Sequence, residues 1–378
     1  MKLTGFDARH FLRQHWQKKP LLIRQALPDF CDIISPEELA GLACEPEVES
    51  RIVHTRRSGY ALQSGHFTEK DFTTLPAKNW TLLVQAVDQY LPRAKELLHA
   101  VSFVPGWRLD DLMISYATAG GGVGPHFDYY DVFLIQGQGT RTWQLGQRCN
   151  ANDVVLDSSG LKLLKHFHES ETFVLNTGDV LYIPPGVAHW GISSNNSLSY
   201  SIGLRAPDTE EMLLGFSEYL TRNSSPDERY TDPPLDPANI LPGEISKSAI
   251  SKARRQLLKL LRDETEFARW FGNEMTLPRY PQAVVPSRRF PALDKSGLHL
   301  RTALWSRLAW QRHENTIIIS ANGESFSLRY SGKLQKLLQQ LAGPAIIEAA
   351  PWLNSQVCRQ LLQTLFQRGV IVEVKNRP

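Results

Sequence analysis

Between residues 105 and 206 the sequence alternates short apolar runs with turns of Gly, Pro, Asn and Asp. The runs are LMISYA, DVFLIQG, RTWQLG, ETFVLN, DVLYIP and SYSIGLRA. Runs of this kind at regular spacing predict an antiparallel β-barrel or jelly roll. No other pattern in the sequence narrows the choice of fold as far.

The flanking regions have a different character. Residues 1–100 mix short helices, at Phe6 to Trp16 and Pro36 to Ala43, with strand-like runs at Leu21 to Arg24 and Tyr60 to Gln63. Ser35 is a natural N-cap before Pro36, with Glu38 three residues beyond it. Ala86 to Ala100 reads as a helix interrupted near Pro92. Residues 207–275 turn helical, at Pro207 to Tyr219 and Ser246 to Arg262, around a Pro-rich loop, DPPLDPANILPGE. Lys252 to Arg262 is basic and amphipathic, and a Leu stripe against a core or partner is favoured over a nucleic-acid surface. After residue 276 come a Pro-rich segment, strands, helices near Lys333 to Leu341 and Asn354 to Gln367, and a last strand, VIVEV. That order predicts a winged-helix module. The expected organisation is α+β: a barrel domain over 1–206 with its core at about 105–206, a helical region over 207–275, and a winged-helix-like domain over 276–378.

Composition closes off several classes. With 42% hydrophobic and 21% charged residues, the protein is able to bury a core and is not a disordered one. Lys plus Arg is 42 against 39 Asp plus Glu, and a net charge of +3 is too weak to argue for DNA binding. No apolar run reaches membrane-span length, and the opening MKLTGFDARHFLRQHWQKKP lacks the apolar centre of a secretory signal. Cys31, Cys44, Cys149 and Cys358 form no CxxC pair, which argues against a thiolate zinc site and for a reducing cytoplasm.

Two segments carry chemistry. In GGGVGPHFDYYD, His126 and Asp128 stand at i and i+2, so a strand would aim both at one point. In GDVLYIPPGVAH, a strand runs through a Pro-Pro-Gly turn to His189. Two histidines and one carboxylate form the facial triad of non-haem Fe(II), with zinc as the alternative ion. Arg141 follows in GQGTRTWQLG, across an expected hairpin at Gly137–Gly139. A buried Arg beside an open iron site needs an anion, and a dicarboxylate co-substrate would supply it. His166 and His168 form a second His-x-His pair with no matching third ligand, so an exposed loop is expected. Gly120 to Gly124 precedes no helix and is rejected as a phosphate cradle.

These residues resemble the JmjC-type 2-oxoglutarate oxygenases, which are built on a double-stranded β-helix, a jelly-roll or cupin-like barrel. More narrowly, GGGVGPHFDYYDVFLIQGQGTRTWQLG, GDVLYIPPGVAHWG, DDLMISY and HWQKKPLLIR resemble the bacterial ribosomal oxygenases. The resemblance implies Fe(II) ligands at His126, Asp128 and His189, and Arg141 on the distal carboxylate of 2-oxoglutarate, with O2 as the oxidant. It further implies hydroxylation of an arginyl side chain of large-subunit ribosomal protein sixteen and a homodimer formed through the helical region. The winged-helix region has a Pro-rich approach, mixed charge and no clear basic recognition helix, so a protein-contact or scaffold role is expected and direct DNA binding is not.

A substrate guanidinium wants a carboxylate and an aromatic face. Asp111, Met113 and Ser115 share one face of DDLMISY. Asp111 is therefore expected on the guanidinium, Tyr130 on its stem, and Met113 and Ser201 along the pocket. Ser115 is expected as a second hydrogen bond to 2-oxoglutarate. Three alternatives stay open at this level: a cupin-type metal protein, a DNA-binding regulator with a ligand-sensing barrel, and an oxygenase acting on histidyl or lysyl residues.

Overall fold

The computed structural model describes residues 2–156, 160–223, 229–237, 241–278, 297–343 and 345–374. It divides into two compact units, Met1–Ala206 and Pro207–Pro378.

The first unit opens with α1 (Ala8–Gln14), β1 (Leu21–Ile23), α2 (Pro36–Ala43), β2 (Ser50–Arg56), β3 (Gly59–Ser64), α3 (Glu69–Thr73), β4 (Trp80–Val84) and α4 (Pro92–Leu97). Ser35 and Glu38 cap α2 reciprocally, as the sequence predicts. Then come β5 (Leu109–Ala117), β6 (Val132–Gln136), β7 (Arg141–Arg148), β8 (Val155–Leu156), β9 (Leu163–Leu164), β10 (Glu169–Leu175), β11 (Val180–Ile183), β12 (Val187–Ser193) and β13 (Ser197–Leu204). An eight-stranded sheet runs in the order β1-β11-β6-β13-β5-β4-β2-β3, and a three-stranded sheet in the order β10-β7-β12. The backbone passes from one sheet to the other at β6–β7, β10–β11, β11–β12 and β12–β13, which is the winding of a double-stranded β-helix.

The turn at Gly137–Gly139 is therefore not the expected hairpin. β6 and β7 belong to different sheets, and the turn carries the backbone from one wall of the barrel to the other. Glycine makes this possible: a Cβ at Gly137 would lie 2.1 Å from Asp32 Oδ1, and one at Gly139, where φ is +75°, 2.2 Å from the Asn196 carbonyl oxygen.

The alternation within each strand sorts two cores. Leu112 and Ile114 of β5, Phe133 and Ile135 of β6, and Leu198, Tyr200 and Ile202 of β13 face outward and pack with Phe11, Leu39 and Leu97 beneath the N-terminal helices. Val132, Leu134, Trp143, Leu145, Leu181 and Ile183 face inward and fill the barrel. Asp111, Ser115, Ser197 and Ser199 alternate with the outward-facing residues, so the barrel interior has a polar side.

The second unit contains α5 (Thr209–Asn223), α6 (Lys247–Leu261), α7 (Glu264–Thr276), β14 (His299–Thr302), β15 (Leu308–His313), β16 (Thr316–Ala321), β17 (Glu324–Arg329), α8 (Gly332–Leu341), β18 (Ile347–Glu348), α9 (Ala350–Leu353), α10 (Gln356–Gln367) and β19 (Ile371–Glu373). β15–β16–β17 form a meander, and β18-β14-β19 a second small sheet. Leucines of α8 and α10 pack between them. α7 lies on the meander, where Arg269 donates to Ser327 Oγ at 3.0 Å. The Pro-rich segment after residue 276 lies largely outside the described residues, as does part of the loop between α5 and α6. Among the described residues, no helix is long and apolar enough to cross a membrane.

Candidate metal centre

His126 and His189 face each other across an isolated antiparallel bridge. The His126 amide donates to the His189 carbonyl at 3.0 Å, and the His189 amide donates to the His126 carbonyl at 2.8 Å. Their rings lie 4.3 Å apart between centroids. Asp128 Oδ2 stands 3.6 Å from His189 Nε2, and one ligand atom from each of the three residues lies within 4.8 Å of the others.

Backbone contacts set the imidazoles for metal binding. His126 Nδ1 lies 2.9 Å from the Gly124 carbonyl and His189 Nδ1 lies 3.0 Å from the Val187 carbonyl. A carbonyl only accepts, so each Nδ1 carries the proton and each Nε2 presents a lone pair. Burial, with His126 adding to it, pushes the pKa of His189 down to about 4, so the ring is neutral at pH 7. Two imidazoles that turn their Nε2 atoms to one point, with a carboxylate on the same side, suit a divalent ion with open positions on the other side.

The His126–Asp128 pair does not sit on the regular strand expected for it. Gly124 has φ of +87° and Pro125 has no N–H, so the ladder breaks just before His126. Only the bridges Gly122–Ile192 and His126–His189 survive there. Asp128 is held instead through its carbonyl, which accepts from Gly186 N–H at 2.7 Å. The left-handed Gly186 (φ +78°) of the Pro-Pro-Gly turn thus joins the two ligand segments.

Arg141 is buried on the inner face of β7. Its guanidinium donates to Ser115 Oγ at 2.9 Å and Ser197 Oγ at 3.1 Å, and its Nε has no partner. Among the described residues no carboxylate pairs with it, and burial alone draws its pKa down to about 10. Trp143, two residues along the same face, stands 5.9 Å from the His189 ring, linking the arginine to the metal ligands.

The other sequence candidates fall into two places. Ser115 belongs to the Arg141 cluster. Asp111 is buried, and its Oδ2 accepts from Gln85 Nε2 at 2.7 Å and Ala86 N–H at 2.9 Å. Asp111 and Tyr130 share the space above Gly203: a Cβ there would lie 3.6 Å from Asp111 Oδ1 and 3.9 Å from Tyr130 Cε2. Tyr130 lies in a bend, not on a continuing strand. Part of its ring is open, while burial of the phenol end beside Asp128 and Asp111 raises its pKa well above the usual range. Met113 and Ser201 oppose each other directly on β5 and β13. His166 and His168 are exposed.

Ser197, Ser193 and Gln85 were not anticipated. Ser193 and Ser197 meet hydroxyl to hydroxyl at 2.6 Å, extending the Arg141 cluster. The signal for Ser197 is present in SLSYSIGL, whose serines occupy alternate positions and so share the inner face.

Comparisons with known proteins give the family. Residues 96–212 match the JmjC domain family, and residues 259–371 match the ROXA-like winged helix. The protein is 38% identical over 276 residues to the ribosomal protein uL16 3-hydroxylase of Escherichia coli K12, covering 73% of each. It is similar along its whole length to the crystal structure of Escherichia coli YcfD, with a TM-score of 0.88 and 32% identity, covering 99% of this protein and 100% of that one. It belongs to the JmjC ribosomal oxygenases. A further structure of that Escherichia coli ribosomal oxygenase, solved with cobalt and 2-oxoglutarate, matches with a TM-score of 0.84 over 98% of this protein and 99% of that one.

Proposed function

We propose that this protein is an Fe(II)- and 2-oxoglutarate-dependent protein hydroxylase that modifies an arginyl side chain of large-subunit ribosomal protein sixteen, uL16. Arg141 carries the reading: a buried guanidinium bonded only to hydroxyls fits the far carboxylate of a dicarboxylate co-substrate whose other end reaches the metal.

In this reading His126, Asp128 and His189 hold Fe(II). With 2-oxoglutarate and O2 bound, the metal supplies the oxidation that turns a carbon–hydrogen bond of the substrate residue into an alcohol, releasing succinate and CO2. Arg141, Ser115 and Ser197 orient the co-substrate. The apolar barrel wall of Leu134, Trp143 and Leu181 excludes water. Asp111, fixed by Gln85 and Ala86, takes the substrate guanidinium, and the Tyr130 ring packs on its stem. Met113 and Ser201 line the same pocket, whose shape selects the carbon presented to the metal. The carboxylate beside an aromatic ring favours an arginyl substrate over a histidyl or lysyl one.

The exposed apolar residues Ile250, Leu257 and Leu261 of α6 support an isologous homodimer. Four free cysteines support a cytoplasmic location.

The test incubates the protein with Fe(II), 2-oxoglutarate, air and the ribosomal proteins of a bacterium lacking the activity. Intact-mass spectrometry is expected to find one added oxygen on uL16 alone, absent with His126→Ala, and fragmentation to place it on an arginine. Succinate formation without any protein gaining oxygen would remove the ribosomal substrate. Oxygen on a histidine or lysine would replace the arginyl assignment.

A further inference from the structure

The segment from His126 to Asp131 carries two ligands of the candidate metal centre but belongs to no strand, so no ladder fixes it. Its near end is set by the His126–His189 bridge. Its far end is set by Asp131, three residues past Asp128 and fully buried. Arg108 reaches Asp131 Oδ2 at 3.0 Å and Gln17 Nε2 reaches the same oxygen at 3.2 Å. Tyr182 donates its hydroxyl to Asp131 Oδ1 at 2.6 Å. The Asp131 carbonyl accepts from Leu204 N–H at 3.1 Å, which ties the backbone at that point to β13.

Each donor is itself held. The Arg108 guanidinium lies 5.7 Å from the ring centroids of both Trp16 and Trp107, and its Nε donates to the Arg205 carbonyl at 2.6 Å. Tyr182 accepts from Gln17 N–H at 2.7 Å. Gln17 has φ of +56°, a left-handed conformation that a non-glycine residue holds only where its surroundings over-determine it. The loop after α1, β5's approach and β11 therefore converge on one carboxylate next to the ligand segment.

We propose that Asp131 is a positioning residue for Asp128: through Arg108, Gln17 and Tyr182 it pins the end of the irregular ligand segment and so fixes the carboxylate against His189. Asp128 is otherwise held by the Gly186 N–H on its carbonyl and by the Tyr130 hydroxyl on its carboxylate, so loss of the Asp131 anchor loosens the ligand segment without removing a ligand. Partners that orient ligands in this way typically contribute about 10- to 100-fold to metal affinity.

This inference rests on the metal-centre reading, and its test separates the two. Co(II) binding to the full-length metal-free protein is titrated in the presence of 2-oxoglutarate and followed by calorimetry and by the visible d–d absorption of Co(II). Asp131→Asn is expected to weaken Co(II) about tenfold or more and to change the absorption envelope. Tyr182→Phe, which keeps the ring and removes the hydroxyl that donates to Asp131 and accepts from Gln17, is expected to weaken it by a smaller factor and decides the matter if Asp131→Asn does not fold. Asp179→Asn is the control for burial alone. Asp179 is as deeply buried and accepts from Arg24 and from the Gln25 and Asn176 amides, far from the ligand segment in sequence. It is expected to lower stability and leave Co(II) affinity unchanged. Wild-type affinity in both Asp131→Asn and Tyr182→Phe, or equal weakening by Asp179→Asn, would overturn the positioning role alone. Failure of the wild-type protein to bind Co(II) would overturn the metal centre and this role with it.

Discussion

Inside the barrel the Arg141 guanidinium meets the Ser115 hydroxyl at 2.9 Å, and a hydroxyl cannot neutralise it. A buried cation without an anion destabilises the protein that carries it, and an arriving carboxylate relieves the cost. Burial draws its pKa down from the ordinary guanidinium range to about 10, a penalty on the order of 3 kcal/mol for the charged form.

Arg141→Met is therefore expected to raise the urea midpoint of the protein free of metal and co-substrate, and to abolish the extra stability that 2-oxoglutarate confers. Unfolding curves with and without 2-oxoglutarate check both. A variant less stable than wild type in the absence of ligand would mean that the protein itself already compensates the charge.

The metal-free protein is expected to lose stability on mild acidification. The pKa of His189 falls from 6.5 to about 4 on folding, because burial and His126 disfavour its charged form. Between those values the unfolded state binds a proton that the folded one refuses, so stability declines from about pH 6.5 to about pH 4 and levels off below. The share of His189 is on the order of 3 kcal/mol. Urea midpoints measured across this range should fall less steeply for His189→Gln than for wild type. An equal slope in both would assign the acid sensitivity elsewhere, for example to His99, whose pKa is also pushed down to about 4 by burial.

The sequence carries the metal centre more legibly than its surroundings. His126, Asp128 and His189 were readable because ligand chemistry restricts the residue types and the apolar runs place them in one barrel. The route of the backbone was not. The turn at Gly137–Gly139 has the composition of a hairpin, and only the strand pairing of β6 and β7 into different sheets shows that it switches walls. The bend at Tyr130 was equally hidden, since strand alternation says nothing of where Gly124 and Pro125 end the ladder. Gln85 illustrates a further limit. It meets Asp111 only because β4 and β5 are neighbours, a long-range pairing that no local pattern encodes.

Asp111→Asn is expected to separate substrate recognition from co-substrate binding. The substitution keeps the shape of the side group and its bulk above Gly203 but removes the charge that a guanidinium would meet. Charge-assisted hydrogen bonds of this kind are worth roughly 1.5–3 kcal/mol, so kcat/KM for uL16 should fall by about 10- to 100-fold. Affinity for 2-oxoglutarate should stay within about twofold of wild type, because the Gln85 and Ala86 bonds tie Asp111 to the end of β4, while Arg141 is bonded to Ser115 and Ser197. Equal loss of both quantities would remove Asp111 from the substrate pocket.

The helix α6 makes the last prediction. Ile250, Leu257 and Leu261 recur at helical spacing and are 56%, 64% and 47% exposed, and no residue of α6 is buried within the protein. A contiguous apolar stripe of this kind marks an interaction surface. In a two-fold interface each stripe residue is used twice, so one substitution acts on both copies. Leu257→Glu is expected to convert a homodimer to a monomer by light scattering at micromolar concentration, because each partner would have to bury an unpaired carboxylate. The folding of the barrel unit, read by its ability to bind Co(II) and 2-oxoglutarate, is expected to persist. A wild-type protein that is already monomeric at that concentration would assign the α6 stripe to a different partner.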